Sequence, residues 1–229
     1  MRYDNIKPGK FLSRPNRFIA EVEIDGKTEI CHVKNTGRCR EILRKGAKVL
    51  LCESHSDKRK TRYDLVSVYK NNELINIDSM APNLIFKEWA QKNEFFGMGA
   101  VFKAETKYGN SRFDYFITSG ERKIFVEVKG VTLENDGVAA FPDAPTERGV
   151  KHLEELCAAV GEGFEAYVFF VVQMKNIKYL VPNTQTHPEF ADALLRAKKS
   201  GVGIFAIDCI VRPGEIVGDC FVDVFPEGK

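Results

Sequence analysis

Residues 111 to 130 read SRFDYFITSGERKIFVEVKG, two runs with a period of two joined near Ser119-Gly120, and no other stretch restricts the fold so tightly. Side chains alternate between the faces of a strand, so the first run sets Phe113, Tyr115 and Ile117 on one face and Arg112, Asp114 and Phe116 on the other. The second sets Ile124, Val126 and Val128 against Phe125, Glu127 and Lys129. A hairpin that places Ile117 opposite Ile124 predicts Asp114 directly across from Glu127, and Arg112 across from Lys129. Two carboxylates facing each other on a half-buried sheet face repel unless a cation or a proton lies between them.

The rest of the chain supports an ordinary globular protein. Its 229 residues, 44% hydrophobic and 29% charged, allow one large domain or two smaller ones with a core that needs no staples. Six cysteines occur without a C-x-x-C pair, several inside apolar runs such as VLLCE and AIDCIV. Free buried thiols point to a reducing compartment, and Cys31, His32 and Cys39 lack zinc-ligand spacing. The N-terminus has no apolar leader and no run approaches a bilayer-spanning length, so the expectation is a cytoplasmic protein with no membrane association. The net charge of +2 hides an uneven distribution, because residues 1 to 81 hold 17 Lys and Arg against 11 Asp and Glu while the remainder is acidic. A basic front half suits contact with a polyanion; a chance imbalance on a solvated surface is the bland alternative.

The front half reads as five short strands, RFIAEVEID, TEICHVKN, AKVLLCES, TRYDLVSVYK and ELINID, which predict a small β-barrel of the oligonucleotide-binding (OB) type. At SMAPNLIFKEWAQKN the pattern changes to a helix opened by Pro82, with Leu84, Ile85, Trp89 and Ala90 on one face. The domain boundary is therefore placed near 81, giving 1 to 81 as the barrel and 82 to 229 as the second domain. Strands near 100–107, 111–117 and 123–131 follow. A helix over 146–160 then carries Val150, Leu153, Leu156, Cys157 and Val160 on its apolar face, opposite Arg148, Lys151, His152 and Glu155. AYVFFVVQM suits a doubly covered central strand, HPEFADALLRAKKSG a helix, and VGIFAIDCIV another buried strand. The fold class is α/β, with a mixed sheet flanked by helices behind the barrel.

Asp114, Glu127 and Lys129 form a D-x12-E-x-K pattern. Hydrolysis of a phosphodiester uses a divalent metal to acidify the attacking water and offset charge, and Mg²⁺ or Mn²⁺ prefers carboxylate oxygens. Asp114 and Glu127 would be the metal ligands, with Lys129 on the same strand face as Glu127 to orient water or meet the phosphate. The competing reading is a solvated sheet face with Arg112 and Lys129 as cross-strand salt-bridge partners. Glu105 is either a further acid near the metal or a solvated strand residue. Arg112, Arg148 and His152 are further candidate phosphate contacts, the last two with an ordinary polar helix face as the alternative. In the barrel, Arg14, Arg17, Lys34, Arg38 and Arg40, and the DKRKTR loop with Lys58, Arg59, Lys60 and Arg62, are the candidate phosphate contacts.

The spacing on a hairpin between two helices resembles the PD-(D/E)xK nuclease superfamily, which implies catalytic roles for Asp114, Glu127 and Lys129; no proline precedes Asp114. Six blocks in order, RPNRFIAEVEIDG, CHVKNTGRC, ETKYGNSRFDYF, VEVKGVTL, FPDAPTERGVKHLEEL and VFFVVQM, are similar over nearly the full length to the sugar fermentation stimulation protein A family. That resemblance implies an OB-like barrel joined to a nuclease-like domain, with DNA as the partner and RNA left open. The alternatives are a metal-dependent nuclease and a non-catalytic DNA-binding regulator of sugar-metabolism genes. Oligomeric state stays open, a homodimer included.

Overall fold

The barrel closes through one parallel pairing between strands distant in sequence. In the computed structural model, which describes residues 1–35, 37–54 and 59–225, the front of the chain forms β1 (Ile6–Asn16), β2 (Ile19–Ile24), β3 (Lys27–Val33), β4 (Lys48–Glu53), β5 (Tyr63–Lys70) and β6 (Glu73–Asn76). The ladder runs β3-β2-β1-β4-β5, and Cys31 to Val33 of β3 pair with Tyr63 to Leu65 of β5 to complete a five-stranded ring. This is the expected OB-like barrel, but its strand list differs from the sequence reading. ELINID forms β6, which hangs on β5 outside the ring, and the segment IKPGKFLSRPN supplies the missing strand β1. Two prolines and no clean alternation disguise β1. Ile6 to Gly9 pair with β4 alone, so that half of the strand is an edge where Pro8 is tolerated, and register shifts beyond Phe11 curl the strand onto β2.

The second half begins with α1 (Ala81–Lys92) and continues through β7 (Val101–Tyr108), β8 (Ser111–Ser119), β9 (Arg122–Val131), β10 (Leu133–Asn135), β11 (Val138–Phe141) and α2 (Glu147–Gly161). It ends with β12 (Glu165–Val172), β13 (Tyr179–Pro182), α3 (Pro188–Lys199), β14 (Gly203–Arg212), β15 (Glu215–Phe221) and β16 (Asp223–Val224). The main sheet has the order β15-β14-β12-β9-β8-β7, with β9, β12 and β14 mutually parallel. The apolar run FFVV is buried on both faces in β12, as a central strand requires. Helix α1 covers one face through Ile85, Phe86, Trp89 and Ala90, where Phe86 and Trp89 pack on Phe169 at 4.8 and 5.5 Å between ring centroids. Leu84, expected on that buried face, is 48% exposed, because the contact stripe begins one position later. On the opposite face lie α2 and α3, which bury Leu153, Leu156, Phe190 and Leu194 in a core that is continuous with the barrel interior. A small second sheet, β10-β11-β13-β16, which the sequence patterns do not announce, flanks this face.

A buried polar network joins barrel and sheet. Asp78, fully buried, accepts hydrogen bonds from Tyr3 Oη (3.1 Å) and Met80 N (2.9 Å) and lies 2.7 Å from Lys34 Nζ. Gln173, at the end of β12, donates to Asn76 Oδ1 and to the Asp78 carbonyl at 2.8 and 3.0 Å. Each of these groups finds a partner, and the Gln173 bonds cross the junction and fix the barrel beside the ends of β9 and β12.

Candidate functional site

Strand β9 aims Glu127 and Lys129 toward α2, while Val126 and Val128 pack beneath α1. On β8 the alternation breaks at Asp114. Phe113 packs against Phe125 (5.4 Å) and the His152 ring (6.0 Å) on the α2 side, yet Tyr115, two residues on, packs against Phe86 (5.4 Å) on the α1 side. The neighbouring strand shows the same irregularity. Its partners step from Ala104↔Tyr115 to Thr106↔Phe113, skipping Glu105, which adopts a left-handed φ of 53°.

The register with Ile117 opposite Ile124 is the one expected, but the β8–β9 ladder stops at Tyr115↔Val126. The direct cross-strand pairs Asp114–Glu127 and Arg112–Lys129 are therefore not part of the ladder. Instead Asp114 Oδ2 accepts the Val128 N–H at 2.8 Å and Oδ1 accepts Asn83 Nδ2 at 2.9 Å. The carboxylate takes over the acceptor role of a backbone carbonyl where the strands part, which also eases its repulsion with Glu127.

Glu127 is buried. Its Oε1 accepts Lys129 Nζ and His152 Nδ1, both at 2.5 Å, while Oε2 is buried with no hydrogen-bond partner among the described residues. Arg148 Nε donates to His152 Nε2 at 3.3 Å, which leaves Nδ1 as the proton-bearing nitrogen that donates to Glu127. Burial opposes the Glu127 charge, but the His152 hydrogen bond and the Lys129 ammonium outweigh it and hold the carboxyl below its ordinary range. Asp114 behaves oppositely: burial first, then the Glu127 charge, push its carboxyl up to about 6 despite the bonds from Val128 and Asn83. An orphaned buried carboxylate oxygen costs roughly 1–3 kcal/mol, so this one is poised for a ligand. Two carboxylates, one bearing that orphan, fit a hard divalent cation.

The remaining candidates separate into distinct places. Glu105 is exposed, 3.5 Å from Arg112, which is exposed as well. Arg148 is exposed at the start of α2, but His152, expected on the polar helix face, is 4% exposed. The apolar stripe alone hides this, since Glu127 draws the imidazole inward. Arg14 donates to the carbonyls of Arg17, Asn35, Gly37 and Arg38 and so braces the barrel. Arg17 lies over the Phe18 ring at 4.8 Å; Arg38 and Arg40 are exposed, with no ion pair among the described residues. Arg59 is bound by Asp64 through both terminal nitrogens, and Arg62 by Glu53, whereas Lys60 is exposed. Lys58 lies outside the described residues. His32 joins the same Asp64 at 3.0 Å. Asn83 is the residue that sequence reasoning missed; a polar residue beside Pro82 in a helix's first turn carries no periodic signal.

A second acidic group, Asp208, Asp219 and Cys220, is bridged by Lys175 Nζ at 2.9 Å from Asp208 and 2.5 Å from Asp219, which already supplies the cation.

Comparison with known proteins agrees with this architecture. Residues 12–77 match the SfsA N-terminal OB domain, and residues 80–215 match the sugar fermentation stimulation protein RE domain. A sugar fermentation stimulation protein homolog of Desulfitobacterium hafniense is 59% identical over 224 residues, 98% of each chain. One from Ruminiclostridium cellulolyticum is 55% identical over 216 residues, 94% of this chain and 96% of the other. The structure of Pyrococcus furiosus SfsA in complex with Ca²⁺ superposes with a TM-score of 0.88 at 29% identity, covering 98% of this chain and 97% of that one. Barrel, sheet and sequence blocks thus agree over almost the entire length, and the chain belongs to the sugar fermentation stimulation protein (SfsA) family.

Proposed function

We propose that this protein is a divalent-metal-dependent nuclease that holds nucleic acid, DNA in the first place, on its basic barrel. The observation that carries the reading is the partnerless buried Oε2 of Glu127 next to Asp114, on a strand whose Lys129 shares its face. Ca²⁺ in the P. furiosus protein supports a metal site in this fold, and Mg²⁺ or Mn²⁺ is the working ion of this reading.

Asp114 and Glu127 would hold the ion. When bound, a divalent cation supplies a Lewis acid that lowers the pKa of water and offsets charge on the phosphoryl oxygens. The chain's own groups do the positioning. His152 and Lys129 grip one oxygen of Glu127 and leave the other for the ion. Asn83 and the Val128 amide fix Asp114 with one hydrogen bond on each oxygen, so the ion would share an oxygen that already accepts one. The Lys129 ammonium, 2.5 Å from Glu127 Oε1, would be placed to meet a phosphate oxygen or the attacking water. Arg148 and Arg112, exposed beside His152, are placed for flanking phosphates.

Incubating the native chain, Asp114→Asn and Glu127→Gln with Mg²⁺ or Mn²⁺ and mixed single- and double-stranded DNA tests this. Cleavage is expected from the native chain only, with salt-sensitive DNA binding kept by all three. Equal cleavage by both variants, or none by the native chain, overturns the nuclease reading; in the second case the non-catalytic DNA-binding reading takes its place.

A further inference from the structure

Three hollows follow one another past the carboxylates. At the barrel, a cavity of about 330 Å³ is bordered by Arg17, Arg38 and Arg40. It shares Gly37 with a second cavity of about 310 Å³ where the barrel meets the sheet. That cleft is walled by Pro82, Phe141, Pro142 and Pro145, with the polar groups of Asn35, Thr132, Asp143 and Gln173. Gly130, the residue after Lys129, and Thr146, the N-cap of α2, also line it. Beyond the first turn of α2 lies a third cavity of about 370 Å³, with Lys107, Arg112, Arg148, Lys151 and His152. Asp114 and Glu127 connect to the second and third through their partners: Glu127 is bound by His152 of the third, and Asp114 by Asn83, the neighbour of Pro82 in the second.

The chemistry alternates along this path. Both outer hollows are cationic and suit phosphates. Among the described residues, the middle cleft is lined by no Lys or Arg, and its Asp143 carboxylate, which accepts the Arg38 N–H at 3.2 Å, disfavours a phosphate. Apolar proline and phenylalanine walls with amide, hydroxyl and carboxylate groups suit an uncharged planar heterocycle that carries donors and acceptors. Its volume is at the small end of ligand cavities, the scale of a single nucleoside and too small for a stacked base pair. A duplex keeps its bases stacked inside, so only an unpaired base reaches such a cleft.

We propose that the interdomain cleft receives one unpaired nucleobase of a single-stranded nucleic acid whose neighbouring phosphates lie on the Arg17/Arg38/Arg40 and Arg112/Arg148/Lys151 hollows. Resting on the nuclease reading, this makes a single strand, or an unpaired stretch, the substrate of the Asp114/Glu127 site. The base pocket itself is independent of cleavage and is measured without metal.

The experiment is fluorescence anisotropy in EDTA with labelled strands of about 12 nucleotides, within the span one OB fold covers. The probes are single-stranded DNA, single-stranded RNA, the blunt DNA duplex, and an abasic strand that keeps every phosphate. At least one of the two single strands is expected to bind about tenfold or more tighter than both duplex and abasic strand, the scale of one lost base contact. The DNA and RNA arms identify the source. Ala144→Trp, which fills the cleft from a position outside the catalytic groups, is expected to erase that preference while leaving duplex affinity unchanged. Equal affinity of the native chain for single strand, duplex and abasic strand overturns the proposal, as does a correctly folded Ala144→Trp with its preference intact. Because the abasic comparison uses the native chain, a poorly folding variant leaves the test decisive. A native chain that shows the preference but does not cut with Mg²⁺ keeps the base pocket and loses the nuclease reading; one that cuts without preference does the reverse.

Discussion

In the proposed metal site, Glu127→Gln would separate ligand charge from the shape of the site. The glutamine retains the side-chain volume and one acceptor oxygen, but it removes the charge and leaves an amide where Oε2 stands. A ligand that binds only the folded chain stabilises it by RT ln(1 + [L]/Kd), about 2.7 kcal/mol at about 100 times the dissociation constant. Unfolding entropy is about 2.1 cal/mol/K per residue. For 229 residues that becomes roughly 0.48 kcal/mol/K, so saturating metal raises the melting temperature by about 5–6 °C. Losing one of two anionic ligands weakens binding by about 100-fold, comparable to or larger than the loss of an outer partner. At the same metal concentration the variant then gains only about 0.4 kcal/mol, a shift under about 1 °C. The core shared by barrel and sheet favours one cooperative transition that circular dichroism can follow. Melts in EDTA and with Mg²⁺, Mn²⁺ or Ca²⁺ supply the comparison. Equal shifts in the two proteins would refute Glu127 as a ligand, and no shift in the native chain with any of the three ions would refute the metal site.

Three further outcomes follow from the packing. Gly130→Ala would bring a Cβ to 2.7 Å from both Pro82 Cγ and Gln173 Oε1, so urea denaturation should show a loss of about 1–3 kcal/mol. Thr146→Ala removes the hydroxyl that accepts the Gly149 N–H at 3.1 Å at the start of α2 and should cost about 1 kcal/mol in the same assay. Glu134 ties the second sheet to the barrel, with Oε2 at 2.6 Å from Lys70 Nζ and Oε1 accepting the Gly137 N–H at 2.6 Å. Burial raises its pKa, but these two partners more than offset that and leave it lowered. A lowered folded pKa stabilises above the unfolded value and is lost as pH falls through the folded one. Glu134→Gln should therefore cost about 1–3 kcal/mol at neutral pH. The difference from the native chain should narrow once pH falls below the ordinary glutamate range and close below the lowered folded value; a gap unchanged through strong acid would contradict the assignment.

Most of the second half is legible in its residues because its elements are long and strongly patterned. The run through β12 and the alternation of β9 are set by how many apolar residues each stretch must bury, and α2 by its apolar stripe. The barrel is legible as a class but not strand by strand. Its ring depends on β1, whose Pro8 is tolerated where the strand pairs with β4 alone and whose Pro15 falls in a register shift against β2, and on a β3–β5 pairing that no local signal encodes. At the site, Asp114, Glu127 and Lys129 stand out by spacing alone. Helical periodicity places His152 on the polar face, and the fold overrides it because a buried carboxylate needs a donor.

The sequence by itself determined the element order of the second half, the OB-like character of the front half, and the acid, acid and lysine of the hairpin, all of which are local in the chain. Tertiary structure alone decided how those residues meet. It broke the β8 alternation so that Asp114 caps the Val128 amide, turned His152 inward, and left one Glu127 oxygen without a partner. It also committed Arg14 and Arg59 to internal partners while keeping Arg38 and Arg40 on the surface. The physical reason is the same throughout. Periodicity reports which side chains avoid water, whereas hydrogen-bond satisfaction between segments far apart in sequence decides where the charged ones go.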